Sequence, residues 1–287
     1  MKHSLLMLLA LYCAGITMAQ DSTKSEKGDT LKVGNFIIIK KKKKEHQADS
    51  SVGDVNATID ISIGEDDDSG SRQSYSSTNW FIFDLGFANL RDQTVYGSPE
   101  ANAYLNANGG PAFSADDLDL NTGKSSNINL WFFMQKLNVS KHVLNLKYGL
   151  GMEMYNFRYK RAISYHDDPS YIFRDSVSFS KNKLFVNYLT VPFMINIDPT
   201  PDKKRGFSMS AGVSAGYRIG SRNKQVSDER GKEKIKGDFD LEPWRFAYVA
   251  EMGIGPVRVY GSYSINPLHQ NGLNQYPYTV GLRLSNW

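Results

Sequence analysis

From Asn79 onwards, the chain consists largely of segments in which apolar and polar residues alternate with a period of two. The first segment, 80–90, places Phe81, Phe83, Leu85 and Phe87 on one face and Asp84, Gly86 and Ala88 on the other. The segments 143–157 and 207–222 alternate in the same way. Such runs are longer than most soluble strands, and they fit tilted strands that cross a membrane in roughly 9–11 residues. The pattern therefore predicts long β-strands.

Five further segments complete a predicted set of eight strands: 127–139, 183–198, 242–254, 257–265 and 276–287. Three short connections (140–141, 199–205 and 255–256) alternate with four long ones (91–126, 160–182, 223–241 and 266–275). A membrane barrel with both termini in the periplasm has short periplasmic turns and longer outer loops. The predicted fold class is therefore all-β, an eight-stranded antiparallel up-and-down transmembrane β-barrel with an N-terminal polar extension. A soluble β-barrel is the alternative.

If the apolar faces point to lipid, the opposite faces line the barrel interior. They carry Asp84, Lys147, Glu153, Arg218, Arg222, Arg245, Glu251, Arg258 and Arg283. Eight strands leave an interior that is just filled by side chains, and buried charges must be paired. We therefore expect Asp84, Glu153 and Glu251 to pair with arginines and to plug the lumen. A small conducting pore is the less favoured reading of the same residues.

Two further expectations concern particular side chains of the strands. Aromatic residues near the predicted strand ends are expected at the membrane interfaces. They are Trp80, Trp131, Tyr188, Trp244, Tyr276, Tyr278 and Trp287. Pro192 removes a hydrogen-bond donor from the middle of a predicted strand, so we expect a β-bulge there.

The N-terminal region, residues 1–78, differs from the rest of the chain in composition and in hydrophobic pattern. Residues 1–19 combine Lys2, an apolar stretch and small residues before Gln20, as a cleaved export signal does. Residues 20–78 are polar, with two short β-prone pieces at 33–39 and 57–63. These pieces form either a loosely ordered periplasmic linker or a small hairpin. The predicted domains are therefore a signal peptide (1–19), a polar extension (20–78) and a barrel (79–287).

Composition and charge narrow the class of protein. The chain has 287 residues, and no apolar run outside the first twenty approaches the ~18 residues of a membrane helix. The single cysteine, Cys13, excludes a disulfide framework and a cysteine-built zinc site. The net charge of +4 falls to +3 without Lys2, and five of the positive charges lie together in Lys40 to Lys44. A nucleic-acid-binding surface spreads its cations along a groove, so nucleic acid is not an expected partner.

The chain resembles the Bacteroidetes-type outer-membrane β-barrel proteins, including the PorT-like group, and more broadly the OmpA-like small barrels. The resemblance lies in the Ala19-Gln20 junction and in three stretches, 80–87 (WFIFDLGF), 188–193 (YLTVPF) and 278–284 (YTVGLRL). The chain ends in an aromatic residue, Trp287, although Arg283 and Ser285 interrupt the usual terminal pattern. The resemblance implies an outer-membrane location, outer-membrane lipid and the barrel-insertion machinery as partners, and an accessory role in secretion or envelope assembly.

Candidate chemistry is sparse and lies in the long connections. His166-Asp167-Asp168 with Ser164 or Ser170 is a candidate hydrolytic cluster, and His269 lies in the fourth long connection. Asp116-Asp117-Leu118-Asp119 offers carboxylates to Ca²⁺ but lacks the glycine and distal glutamate of an EF-hand. We therefore expect no catalytic, metal or cofactor site, and a structural, adhesive or envelope-accessory role with an envelope or extracellular protein as partner. A barrel enzyme that hydrolyses lipid or peptide at its outer rim is the alternative.

Overall fold

The computed structural model describes residues 30–33, 36–39, 61–63, 75–107, 109–201 and 206–285. The predicted signal peptide and Trp287 lie outside these residues. The chain divides into two compact units, 1–72 and 73–287. In the first unit, strands β1 (Thr30–Val33), β2 (Phe36–Ile39) and β3 (Ile61–Ile63) form an antiparallel sheet in the order β1-β2-β3.

The second unit is a closed barrel. Its strands are β4 (Ser76–Asp92), β6 (Ser126–Ser140), β7 (Leu144–Arg158), β10 (Lys181–Ile197), β11 (Phe207–Ser227), β13 (Trp244–Ile254), β14 (Val257–Ser264) and β15 (Gln275–Leu284). Each pairs antiparallel with the next barrel strand along the chain, and β15 closes the sheet by pairing with β4. The predicted eight-stranded antiparallel up-and-down barrel is confirmed.

The observed strands begin and end close to the predicted positions, with two extensions. Strand β4 begins at Ser76, four residues before the predicted start at Trp80. Strand β11 continues to Ser227, beyond the predicted end at Arg222, because its last six residues also pair with a short strand, β12 (Gly231–Lys236). This hairpin extends the sheet at one end of the barrel.

The predicted alternation of faces is confirmed on most of the barrel wall. In β7, every second residue from Asn145 to Tyr155 is buried, and the residues between them are partly accessible. The outward residues of the barrel are large and apolar, and they include Phe83, Leu85, Phe87, Val191, Phe193, Ile195, Val213, Met252, Val259, Val280 and Leu282. A soluble protein rarely exposes such a continuous apolar surface, whereas a membrane-spanning barrel presents it to lipid hydrocarbon.

A β-bulge in β11 reverses this alternation. Arg218 pairs with Tyr188 and Gly220 pairs with Asn187, so Ile219 has no partner on β10. Beyond the bulge the buried residues are Asn223, Gln225 and Ser227. The expectation that Arg222 faces the lumen is therefore wrong. Its guanidinium lies 4.2 Å from the centre of the Phe185 ring, on the outer face.

Two of the predicted interface aromatics face the interior instead. Trp131 and Tyr188 are each only 2 % exposed. The indole of Trp131 reaches a buried carboxylate, and Tyr188 packs edge-on against Tyr155 with ring centres 6.0 Å apart. The placement of these two residues at a membrane interface is therefore wrong.

Three of the other interface aromatics do face outward. Trp80, Trp244 and Tyr278 are 63 %, 48 % and 36 % exposed, and Tyr276 is half-buried. On the same outer wall, Tyr217 packs against the Trp244 ring at 5.0 Å.

The predicted bulge at Pro192 is also wrong. Thr190 pairs with Gly151 and Phe193 with Tyr148, so the register between β10 and β7 is the same on both sides of the proline. Val191 and Pro192, which lie between these two pairs, have no partner among the described residues of β7. On the β11 side, Pro192 pairs with Ser214 in regular register. The missing donor is thus accommodated without an extra residue.

Connection lengths are segregated between the two ends of the barrel, as predicted. The turns at 141–143, 198–206 and 255–256 are at one end, and all the long connections are at the other. The long connections contain helix α1 (Pro99–Tyr104), strands β5 (Leu105–Asn106), β8 (Ile163–His166) and β9 (Tyr171–Arg174), and 3₁₀ turns at Ala115–Leu118 and Thr122–Lys124. We call the connections 93–125, 159–180, 228–243 and 265–274 together the cap. Among the described residues, no helix is long and apolar enough to span a membrane.

Candidate functional site

The barrel interior is organised around Arg283, which lies between two carboxylates. Its Nε and Nη2 donate to the two oxygens of Asp84, each at 2.7 Å, and Nη1 donates to Glu251. Asp84 also accepts from the Trp131 indole at 2.7 Å and from Asn129 at 3.1 Å. All these side chains are buried, and a bidentate pair of this kind holds two charges in one fixed geometry.

Glu251 is shared by three cations. Besides Arg283, it pairs with Lys147 and lies 3.6 Å from Arg258, and it accepts from Ser210 at 3.0 Å. Arg258 in turn donates to two serines, Ser208 at 2.7 Å and Ser285 at 3.1 Å. One carboxylate therefore contacts cations from three different strands, which ties opposite walls of the barrel together.

A second ion pair lies nearer the cap. Arg245 donates to Glu153 at 2.8 Å and to Ser262 at 3.0 Å, and its guanidinium lies 4.9 Å from the centre of the Tyr155 ring. Glu153 also accepts from Thr190 at 3.2 Å. Each strand contributes these groups because alternate residues point inward. The structure thus places Asp84, Glu153 and Glu251 each against an arginine.

These contacts leave little free space in the interior. A cavity beside Trp131, Met134, Met194 and Arg283 has a volume of about 20 Å³, enough for roughly one water molecule. Among the described residues, the buried charges of the interior contact one another. The arrangement can brace and block the barrel.

Arg218 does not belong to this network. It lies on β11 opposite Tyr188 and pairs with Asp238 of the cap at 2.8 Å. Asp238 is 86 % exposed at its side chain. The expected pairing of Arg218 with a lumen carboxylate is therefore wrong, because its guanidinium reaches Asp238 and the Leu241 carbonyl in the cap instead.

The cap has its own core of aromatic and aliphatic side chains. It includes Tyr104, Phe113, Leu118, Tyr159, Tyr165, Phe239, Leu241, Leu268 and Leu273, and it continues into the barrel through Phe157, Leu184 and Val186. Tyr104 donates to the Phe239 carbonyl at 2.6 Å. The connections therefore form a folded lid on the barrel.

His269 is buried at the centre of the cap. Its ring lies 5.4 Å from the Tyr104 ring and is stacked on the Tyr165 ring at 6.3 Å. Neither ring nitrogen has a hydrogen-bond partner among the described residues. Burial lowers the pKa of His269 to about 3, with a small opposing effect of the Asp92 charge. The imidazole is therefore neutral at physiological pH.

The candidate hydrolytic cluster is not assembled. His166 is exposed, stacks on Tyr171 and contacts the Pro169 carbonyl through Nδ1 at 2.8 Å. Ser164 donates to Asp175 at 2.7 Å, and Ser170 donates to the Asp167 carbonyl. Neither serine is hydrogen-bonded to His166, so no nucleophile–base pair is present in this cluster.

The acidic run of the first connection is occupied by cations of the protein. Asp117 accepts two hydrogen bonds from Arg174 and one from the Ser114 backbone N–H, and Arg174 lowers the pKa of Asp117 to about 2. Asp119 pairs with Lys160 at 2.7 Å. Among the described residues, no cluster of three or more histidine, cysteine or acidic side chains could hold a metal ion.

Several residues of the interior network were not foreseen from the sequence. Trp131, Asn129 and Tyr260 supply hydrogen bonds within it, and Tyr260 donates to Asn127 at 2.6 Å. Their inward parity was available in the sequence, since Asn127, Asn129 and Trp131 alternate with apolar residues. Their hydrogen-bond partners could not be predicted from the sequence, because those partners lie on other strands.

No protein-family model and no curated protein sequence matches the chain. Among solved structures, the chain is similar to Ail, the attachment invasion locus protein of Yersinia pestis, in complex with the heparin analogue sucrose octasulfate. The identity is 10%, the match covers 72% of this chain and 98% of that chain, and the TM-score is 0.29. A similarity this low supports no statement about what this chain binds or does.

Proposed function

We propose that this chain is an outer-membrane barrel that is closed to transport and holds its folded cap outside the cell as a binding surface. One observation carries the proposal: an apolar outer wall surrounds an interior filled by ion pairs. The apolar wall can contact lipid hydrocarbon, and the filled interior leaves no path for solutes among the described residues, as expected of a structural support and not of a channel. The cap is the part that differs most from a bare barrel, so it is the part we expect to contact a partner.

The nature of that partner follows from the resemblance to PorT-like barrels. We propose an envelope or extracellular protein, with the barrel acting as an adhesive or secretion-accessory component. The alternative function, hydrolysis at the outer rim, has little support because His166 contacts neither Ser164 nor Ser170.

The proposed orientation can be tested with single cysteines, since Cys13 is the chain's only cysteine. In a Cys13→Ser background, Asp116→Cys places a thiol on the exposed surface of the cap, and Ser140→Cys places one at the short-turn end. A membrane-impermeant maleimide added to intact cells should label the Asp116→Cys variant and leave the Ser140→Cys variant unlabelled. Both should be labelled after lysis. If only the Ser140→Cys variant is labelled in intact cells, the orientation is the reverse of the one proposed. If neither variant is found in the outer-membrane fraction, the proposal is overturned.

The filled interior predicts the absence of steady conductance. Purified full-length chain in a planar bilayer should give no sustained current above the bare membrane, while an open porin under the same conditions does. The physical reason is that the ion pairs of Glu153, Asp84 and Glu251 occupy the space that water and ions would need. A reproducible unitary conductance would show that the plug moves or is incomplete.

A further inference from the structure

The outer wall near the cap carries a dense group of cations. Arg158, Lys183, Lys224 and Lys234 are directly paired across four adjacent strands, β7, β10, β11 and β12. Arg222 pairs with Lys236 in the next row, and Lys181 and Lys232 flank Val226 in the row on the other side. Directly paired residues of antiparallel strands point to the same face. We call these eight residues the cationic ladder.

Like charges placed directly opposite each other destabilise a sheet. The protein does not offset them with its own carboxylates: among the residues that the structure describes, none of the eight has an acidic partner within 4.0 Å. Lys183 Nζ donates to the Asn156 amide oxygen, Arg158 donates to the Ser180 carbonyl at 2.7 Å, and the Nε of Arg222 is buried without a hydrogen-bond partner among the described residues. The ladder is therefore a site of unneutralised positive charge.

The position of the ladder relates it to the apolar band. On β10, the outward residues Leu189, Val191, Phe193, Ile195 and Ile197 form the band, and Phe185, Lys183 and Lys181 follow on the same face towards the cap. Phe185, which pairs with Arg222, is four residues beyond Leu189. That is about 13 Å along the strand, or about 10 Å perpendicular to the membrane at the usual tilt. With Leu189 at the edge of the hydrocarbon in the proposed membrane placement, this is the depth of lipid headgroups.

We propose that the cationic ladder binds the anionic phosphate headgroups of the lipid leaflet at the cap end of the barrel. The inference rests on the proposed membrane placement and adds a ligand class and a site to it. Lysine and arginine stems cover apolar surface while their charged ends reach the headgroup layer, and phosphate oxygens would supply the anionic acceptors that the ladder lacks among the described residues.

A lipid is favoured over a soluble polyanion because five of the eight ladder residues lie on the side wall of the barrel, and the other three belong to the β12 hairpin that extends this wall. Arg158, Lys183, Lys224 and Arg222 are partly buried on strands whose outward residues continue into the apolar band. The guanidinium of Arg222 lies over the ring of Phe185, 4.2 Å from its centre, so an apolar ring lies between the cations. Phosphate headgroups anchored at the same depth would meet the ladder without crossing the cap.

The test uses the full chain in lipid nanodiscs of phosphatidylcholine alone or of phosphatidylcholine mixed with phosphatidylglycerol. The ladder variant is Lys183→Gln, Lys224→Gln, Lys234→Gln. The control variant removes the same charge from exposed lysines elsewhere, Lys124→Gln, Lys141→Gln, Lys160→Gln. In each disc, the unfolding temperature is read from the loss of the fast-migrating folded band on a gel.

Phosphatidylglycerol should raise the unfolding temperature of the wild type and of the control variant, and should raise that of the ladder variant by less than half as much. In phosphatidylcholine alone, the ladder variant should unfold at or above the wild-type temperature, because its charge repulsion is reduced. An equal gain in all three proteins would overturn the proposal. The proposal would also be overturned if inorganic phosphate in phosphatidylcholine discs raised the wild-type unfolding temperature as much as phosphatidylglycerol does, which would indicate a free-anion site. It would likewise be overturned if only heparin raised that temperature, which would indicate a soluble polyanion.

A second measurement covers the case in which the ladder variant does not fold. Native mass spectrometry of wild type released from mixed discs should show phosphatidylglycerol retained several-fold over phosphatidylcholine, with the preference lost at high salt. Equal retention of the two lipids would overturn the proposal. If the cysteine labelling succeeds and lipid selectivity is absent, the membrane placement stands and only the ladder's ligand is wrong.

Discussion

Replacing Arg283 with methionine is expected to destabilise the barrel by about 3–5 kcal/mol, the usual cost of removing one partner from a buried ion pair. Arg283 holds both Asp84 and Glu251, and the side chains of the two carboxylates are 0 % and 1 % exposed. Without the guanidinium, Asp84 keeps only neutral donors from Trp131 and Asn129. The measurement is the urea midpoint at which the heat-modifiable folded band is lost.

The matched control is Lys160→Met, which removes one partner of the exposed pair between Lys160 and Asp119. Exposed pairs contribute about 0–1 kcal/mol, so its midpoint should hardly move. Adding Asp84→Asn to Arg283→Met removes the stranded charge and should recover part of the loss. If Arg283→Met shifts the midpoint no more than Lys160→Met does, the interior network does not brace the barrel.

The cap should lose stability in acid through His269. The pKa of this residue is about 3 in the folded cap and about 6.5 when exposed, because burial disfavours the charged form. Its contribution is therefore fully present above pH 6.5 and decreases as the pH falls towards 3, since the unfolded cap binds the proton first. The loss is about 1.4 kcal/mol per pH unit, or about 3 kcal/mol by pH 4. Limited proteolysis of the cap as a function of pH measures it.

His269→Phe should remove this acid sensitivity and stabilise the cap at neutral pH. The phenyl ring fits among Tyr104 and Tyr165, and it carries no polar atoms that lack partners. An unsatisfied buried polar group costs about 1–3 kcal/mol, which sets the size of the gain. The control is His166→Phe, because His166 is a second cap imidazole but is exposed. An unchanged acid profile in His269→Phe would assign the sensitivity to other groups.

The contrast between strands and interior contacts shows where sequence reasoning succeeds. The strand number, the strand faces and the segregation of short and long connections were all predicted, because alternation and turn length are local features of the chain. Lys147, Glu153 and Arg245 were placed inward for the same reason. Arg222 was misplaced, since a single extra residue, Ile219, reverses every later side chain and leaves no distinct mark in the sequence. Trp131 was misplaced because it was assigned by its aromatic type, although its parity with Asn127 and Asn129 points inward.

The sequence by itself determined that this chain forms a barrel with an apolar outside and a charged inside, because lipid and a filled interior demand opposite chemistry at alternate residues. Only the tertiary structure decided which charges meet. Arg283 is separated from Asp84 by 199 positions and from Glu251 by 32, and barrel closure brings all three together. Closure also gathers the long connections into the cap around His269 and aligns the cationic ladder across four strands. Such contacts depend on register and on which strands are neighbours, and neither is encoded in any one segment.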